Sequence, residues 1–186
     1  MELGNEPTHI KEMYGITGTD RNKFANQCLT ARRLAEAGVR FIELNAGNWD
    51  HHRNLRTTLE RSCASTDQPI AALLADLAAR DMLKDTLVMW GGEFGRTPRI
   101  NGNAGRDHWP NVFSCFMAGG GIKGGTVIGS SDEDGMQPKD RPVPVSDLHA
   151  TVCHALGIDP NKEVQTPLGR PMKLVDNGKP VAELFG

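Results

Sequence analysis

The chain lacks the sequence features of membrane-spanning, secreted and nucleic-acid-binding proteins. Its 186 residues contain no run of about 18 apolar residues, so no segment is predicted to cross a membrane. The segment 1–6 lacks the basic and apolar regions of a signal peptide. We therefore expect a cytoplasmic protein as written, or an exported or periplasmic one if an upstream segment with a signal has been lost. The net charge of -2 excludes a surplus of Lys and Arg, so nucleic acid is not an expected partner.

Several chemical signatures are missing as well. The four cysteines, Cys28, Cys63, Cys115 and Cys153, show no paired spacing, which predicts neither a zinc ribbon nor a disulfide framework. The glycine-rich segment 119–125 lacks the Lys and Ser/Thr of a phosphate-binding P-loop. No Gly-x-Ser-x-Gly motif occurs, so a hydrolase of the serine-triad type is not supported.

What the chain does contain is an alternation of helical and strand patterns. Hydrophobic residues at 38% and charged residues at 24% are typical of a globular protein, and we expect a single domain over 1–186. The expected helices are Asp20–Ala37, Ser65–Arg80 and Val145–Leu156, capped at Asp20 and Ser146 and ended at Gly38 and Gly157. The expected strands are Val39–Leu44, Thr86–Trp90, Val112–Ala118 and Thr126–Ile128, with long loops at Asn101–Asp107 and Ser130–Arg141. This order predicts an α/β fold, a mostly parallel sheet with flanking crossover helices.

Two acidic residues, Asp50 and Glu93, each follow a predicted strand. In an open α/β sheet, ligands bind beyond the carboxyl ends of the strands. Asp50 and His52 are two residues apart and would point the same way in extended chain, so both could contact one metal ion. The alternative is a polar loop in which these groups only cap the next turn.

Glycines surround Glu93, and Arg96 follows three residues later. Glycine lets the backbone approach an ion closely, and a guanidinium group suits an anion with two oxygens. The alternative is an internal Glu93–Arg96 ion pair that fixes the turn.

His108 lies in a third polar segment, 105–109, and could complete a metal site with Asp50 and His52. Its alternative is a loop histidine bonded to the backbone. No serine or threonine stands at an expected nucleophile position, and the nearest, Thr97, precedes a proline.

Segments along almost the whole chain resemble a bacterial family, the sulfatase-like domain of unknown function 1501. These segments are Cys28–Leu34, Gly47–His52, Gly92–Pro98, Gly105–Trp109, Val145–Thr151 and Leu168–Pro171. The resemblance implies an alkaline phosphatase/sulfatase-like fold that hydrolyses sulfate or phosphate esters with divalent metal. It also implies that the chain is the C-terminal half of a longer domain, so that the fold is incomplete and the half that bears the nucleophile is missing.

The resemblance further assigns residues to roles. The implied metal ligands are Asp50, His52, Glu93 and His108, for zinc first and manganese or calcium as alternatives. Arg96 and Arg106 would contact the oxygens of a small anionic ester. Two alternatives stay open: a non-catalytic remnant that binds an anion or a protein, and a plain structural domain with internal ion pairs. Self-association, or pairing with the missing half, is a further expectation.

Overall fold

The computed structural model describes residues 3–17 and 23–186, which form two compact units. The first unit contains the described residues up to Thr86 together with Arg96–Trp109. The second unit contains Leu87–Gly95 and Pro110–Gly186. No helix in the described ranges is long and apolar enough to cross a membrane.

The first unit is helical, with α1 at Thr8–Met13, α2 at Lys23–Glu36 and α3 at Leu55–Ala79. The apolar face of α2, which includes the buried Cys28 and Leu29, packs against α3. The predicted first helix is confirmed from its residue 23 onward, and its stop at Gly38 is a left-handed residue with φ of 85°. The predicted cap Asp20 lies outside the described residues.

Helix α3 begins ten residues before the predicted start at Ser65. Its first half is polar, so it carries little of the apolar periodicity that predicts a helix. Hydroxyl groups are accommodated there by bonds to the preceding turn, Thr58 to the Asn54 carbonyl and Thr66 to the Ser62 carbonyl.

A buried ionic network joins the helices of the first unit. The Arg32 side chain is only 2% exposed, and its Nε donates to Asp76 at 2.9 Å. The Tyr14 hydroxyl donates a hydrogen bond to the same carboxylate. Glu36 and Glu6 accept hydrogen bonds from Nη1 and Nη2 of the guanidinium group. Burial and the Asp76 charge raise the pKa of Tyr14. Each guanidinium nitrogen of Arg32 therefore has a carboxylate partner inside the unit, as burial of a charge requires.

The prediction of a mostly parallel, alkaline phosphatase/sulfatase-like sheet is wrong. The strands are two or three residues long: β1 Val88–Trp90, β2 Gly95–Arg96, β3 His108–Trp109, β4 Phe116–Ala118, β5 Ser130–Ser131, β6 Pro138–Asp140, β7 Glu163–Gln165 and β8 Pro171–Lys173. They form four two-stranded sheets, β1–β4, β2–β3, β5–β6 and β7–β8. The register of the β1–β4, β5–β6 and β7–β8 pairs is antiparallel.

The apolar runs explain the error. Val39–Leu44 and Thr126–Ile128 form no strand, and Phe41 and Val127 are 81% and 90% exposed. Thr86–Trp90, predicted as a central strand, pairs on one side only through β1, and its Met89 is exposed. Periodicity shows that a run is apolar, but a sheet needs partner strands that a short run cannot reveal.

The second unit also contains α4 at Val145–Ala155, which confirms the predicted third helix. Pro144 rather than Ser146 precedes its first turn, and Gly157 ends it at a φ of 68°. The predicted loop at Asn101–Asp107 is confirmed in the first unit, whereas Ser130–Arg141 contains the β5–β6 hairpin. Two short 3-10 helices, Leu83–Asp85 and Ala182–Leu184, complete the described elements.

Candidate metal centre

Three predicted ligands meet at one point on the first unit. Asp50 Oδ1 lies 2.9 Å from His108 Nε2 and 3.1 Å from His52 Nε2. The two imidazole nitrogens are 3.2 Å apart. One oxygen and two nitrogens thus form a small triangle, with each atom on a different side chain.

The triangle fits a divalent metal such as zinc. Zinc binds His nitrogen and carboxylate oxygen at about 2.0–2.2 Å, so two ligands at a tetrahedral angle are separated by about 3.3 Å. The observed separations of 2.9–3.2 Å are close to that value. The side chains are 57%, 42% and 47% exposed for Asp50, His52 and His108, so water reaches all of them.

The two-stranded sheet β2–β3 carries two residues of the site, Arg96 and His108. His108 opens β3, which pairs with β2, and β2 carries Arg96. The Arg96 guanidinium donates to Asp50 Oδ1 at 3.0 Å, with its side chain 19% exposed. Arg96 therefore places a fixed positive charge beside the triangle.

The loop between these strands supports His52 from the other side of its ring. Asp107 Oδ1 lies 3.3 Å from His52 Nδ1, and Asn101 Nδ2 donates to that same oxygen at 2.9 Å. Asn101 Nδ2 also donates to the His52 carbonyl at 3.2 Å. His52 is thus bonded at its ring and at its backbone by one loop.

Backbone bonds fasten this loop to the segment that carries Asp50 and His52. Arg106 N donates to the His51 carbonyl at 3.0 Å, and Leu55 N donates to the Ala104 carbonyl at 2.8 Å. Gly105 lies directly on His52, because a β-carbon there would be 2.1 Å from the His52 carbonyl carbon. Only glycine permits this approach.

A buried pair anchors the same segment to α3. His51 Nε2 lies 3.2 Å from Ser62 Oγ, and Ser62 donates its hydroxyl to the Asn48 carbonyl at 3.0 Å. Both side chains are buried, so His51 points into the unit while its neighbours point to solvent. The burial of His51 explains why the side chains at 50–52 point alternately to solvent, into the unit and to solvent.

Hydrogen-bond donors and nearby positive charges favour the charged form of both carboxylates in the site. The hydrogen bond from His108, assisted by the charges of His52 and Arg96, holds the pKa of Asp50 below its ordinary value. The hydrogen bond from Asn101, assisted by His52, does the same for the pKa of Asp107. Ionised carboxylates are the form that binds metal.

The other predicted residues lie as follows. Glu93 belongs to the second unit, between β1 and β2, and its role as a ligand stays a prediction. Arg106 Nη1 donates to the Pro98 carbonyl at 2.7 Å and to the Thr97 carbonyl, so its guanidinium group holds the loop. The Thr97 hydroxyl donates to the Arg99 carbonyl and accepts from Asp107 N.

Sequence reasoning did not identify Asn101, Gly105 or Ser62. Asn101 stood in a segment predicted only as a loop. Gly105 stood in a segment that carried the family resemblance but was given no role, and Ser62 stood before the predicted start of its helix. The available signals were Asn and Gly in a short polar loop that runs into the predicted ligand His108.

The model of a family described as "Protein of unknown function (DUF1501)" matches residues 1–185. No curated protein and no solved structure matches the chain.

Proposed function

The chain belongs to the family of proteins of unknown function DUF1501, and from the site itself we propose that it is a zinc-dependent hydrolase of small sulfate or phosphate esters. The observation that supports this proposal is the triangle of Asp50 Oδ1, His52 Nε2 and His108 Nε2. Two imidazole nitrogens favour zinc over calcium, which prefers oxygen ligands, and leave manganese as the alternative.

The number of ligands and their exposure favour a catalytic ion over a structural one. Structural zinc sites have four protein ligands, whereas catalytic sites have three and keep one position for water or substrate. The three side chains here are each between 42% and 57% exposed. A zinc ion bound there would polarise the ester oxygen and lower the pKa of a bound water.

Arg96 would orient the substrate, and a water molecule would serve as the nucleophile. The Arg96 guanidinium, beside Asp50, would bind nonbridging oxygens of the ester, a role in which a planar fork is effective. Because the Thr97 hydroxyl is engaged with backbone groups, we propose water as the nucleophile. Water would replace the alcohol, and the products would be the free alcohol and inorganic sulfate or phosphate.

The first experiment measures metal content. After loading with zinc, or with manganese in parallel, dialysed protein should retain one ion per chain. His108→Ala should weaken zinc binding by more than the ~10–100-fold that loss of an outer-shell partner produces. His9→Ala is the matched control, because His9 is an exposed histidine on α1 of the same unit. Wild-type protein that retains no ion would refute the metal centre.

The second experiment measures turnover of p-nitrophenyl sulfate and p-nitrophenyl phosphate by the zinc-loaded protein. Activity should appear with zinc, disappear in His108→Ala and survive in His9→Ala. Arg96→Gln should raise KM for the anionic ester and retain bound zinc. Retention of zinc without any turnover would refute the hydrolase and leave a non-catalytic metal and anion site.

A further inference from the structure

His52, one of the two histidine ligands of the proposed centre, has a partner at each nitrogen of its ring. His52 Nε2 lies within the triangle, while Nδ1, on the opposite side of the ring, lies 3.3 Å from Asp107 Oδ1. A neutral imidazole carries its proton on only one of these nitrogens. Asp50 Oδ1 lies 3.1 Å from Nε2, so each nitrogen of the ring faces a carboxylate. Nε2 has a lone pair for a metal ion only when the proton is held at Nδ1.

We propose that Asp107 is the positioning residue that sets this proton, by accepting Nδ1–H of His52 and leaving Nε2 as the ligand atom. Carboxylate–histidine–metal arrangements of this kind fix both the tautomer and the ring orientation of a ligand. The inference rests on the proposed zinc centre, but the placement of the proton on Nδ1 can be measured without zinc.

Asn101 is the residue that keeps Asp107 in this position. Asn101 Oδ1 accepts from the backbone nitrogens of Asn103 and Gly105 at 2.9 and 3.0 Å. Those two donors fix the orientation of the amide, because a flipped amide would point its NH2 group at two N–H groups. Asn101 Nδ2 must then face Asp107 Oδ1, where it donates at 2.9 Å.

The same amide joins the two segments that must stay in register. Asn101 Nδ2 also reaches the His52 carbonyl, so one NH2 group contacts both the carboxylate and the backbone of the histidine that the carboxylate orients. Asp107 is further held at its backbone, where Thr97 N donates to its carbonyl at 2.8 Å. Movement of Asp107 away from His52 would break its bonds to Asn101 Nδ2 and Thr97 N.

The test uses four variants of the full chain and two measurements. Asp107→Ala removes the acceptor, Asp107→Asn keeps an acceptor oxygen without the charge, and Asn101→Ala removes the support. Asn103→Ala is the control, because its backbone rather than its side chain bonds within the loop. Thermal unfolding of each variant establishes that it folds.

The first measurement is zinc affinity, by competition with a chromogenic chelator. Asp107→Ala and Asn101→Ala should weaken binding about 10–100-fold, Asp107→Asn should lie between them and wild type, and Asn103→Ala should match wild type. Wild-type affinity in Asp107→Ala would overturn the proposal.

The second measurement is the ¹⁵N chemical shifts of His52 in metal-free protein, from long-range ¹H–¹⁵N correlation at a pH where the ring is neutral. It is made in an Asp50→Ala background, which removes the carboxylate that competes for the proton at Nε2. This background should show Nδ1 protonated and Nε2 with a lone pair, and addition of Asp107→Ala should abolish that preference. An unchanged tautomer on addition of Asp107→Ala would overturn the proposal whether or not zinc binds. Wild type that binds no zinc would instead refute the metal centre, so the two failures are distinguishable.

Discussion

Gly105 and His52 are in such close contact that a β-carbon at position 105 would lie 2.1 Å from the His52 carbonyl carbon and 2.2 Å from its oxygen. Because both atoms belong to backbone, no side-chain rotation could relieve the clash. The loop that carries Asp107 can therefore pack against the segment that carries His52 only because residue 105 is glycine.

Gly105→Ala should separate the loop from His52. Overpacking of this kind destabilises a protein by about 1–3 kcal/mol, and we expect zinc affinity to fall with it. Urea denaturation and chelator competition would measure the two effects. The control is Gly102→Ala in the same loop, where a β-carbon meets no atom within 4 Å. Equal behaviour of the two variants would contradict the packing argument.

Asp76→Asn should be destabilising, because the Asp76 side chain is 3% exposed and its carboxylate accepts from Arg32 and Tyr14 in the helical core of the described first unit. Removal of the sole partner of a buried charge costs about 3–5 kcal/mol, and the loss here should lie below that range because Glu6 and Glu36 still bond Arg32. The expected result is a lower urea midpoint at an unchanged m-value.

The control for that substitution is Asp81→Asn. Asp81 forms an exposed pair with Lys84 and has a φ of 57°, which asparagine tolerates. An exposed pair contributes up to about 1 kcal/mol. A loss at Asp76 no larger than the loss at Asp81 would show that the buried network contributes little.

Glu183 should titrate far below an ordinary glutamate. The bond from Arg141 is the largest cause that lowers the pKa of Glu183 to about 2. A depressed pKa in the folded state means that the stabilisation is present above the unfolded pKa and is lost as the pH falls through the folded one. The contribution should therefore disappear between about pH 4.5 and about pH 2.

A carboxylate NMR titration would test this. Arg141→Gln should return the pKa of Glu183 toward its ordinary value. Lys139→Gln removes the same charge two residues away and should leave the pKa of Glu183 low. A normal pKa for Glu183 in wild type would show that the ion pair does not form in solution.

Two cysteines of the described structure should differ sharply in reactivity. Burial raises the pKa of the Cys28 thiol to about 12, and the residue is 0% exposed. Cys115 is exposed, although partial burial of its thiol raises its pKa too. Since the thiolate is the reactive form, a maleimide at neutral pH should label Cys115 in native protein and Cys28 only after unfolding.

Mass spectrometry of the labelled peptides would separate the two sites, with Cys115→Ser as the control that removes the native-state label. Labelling of Cys28 at the rate of Cys115 in native protein would contradict the buried position of Cys28 on α2.

Local signals predicted the helices better than the strands. Helices α2 and α4 follow apolar residues at helical spacing and end at Gly38 and Gly157, each with positive φ. A helix satisfies its hydrogen bonds within one segment, so its sequence carries most of the information. The run at Val39–Leu44 has the composition of a strand but forms no ladder, since a strand needs a partner from elsewhere in the chain.

Some residues of the site were likewise predictable from the sequence, and the roles of others were visible only in the structure. Two-residue spacing selected Asp50 and His52, and the structure brings them to His108. The structure also supplies Asn101 as the link between Asp107 and His52, a role that no spacing along the chain could reveal. In the structure Arg106 donates to carbonyl groups of the loop, whereas the family resemblance implied a contact with the oxygens of an anion.

Motifs and spacing along the chain were enough to identify the possible ligands, the ends of two helices and the family to which the chain belongs. The small antiparallel sheets, the orientation of His52 and its contact with Gly105 became visible only in the folded chain. The difference follows from the range of the interactions, because helix propensity and capping act over one or two turns. The β1–β4 pair instead joins residues as far apart as Val88 and Ala118, and the contact of Asn101 with the His52 carbonyl spans about fifty residues.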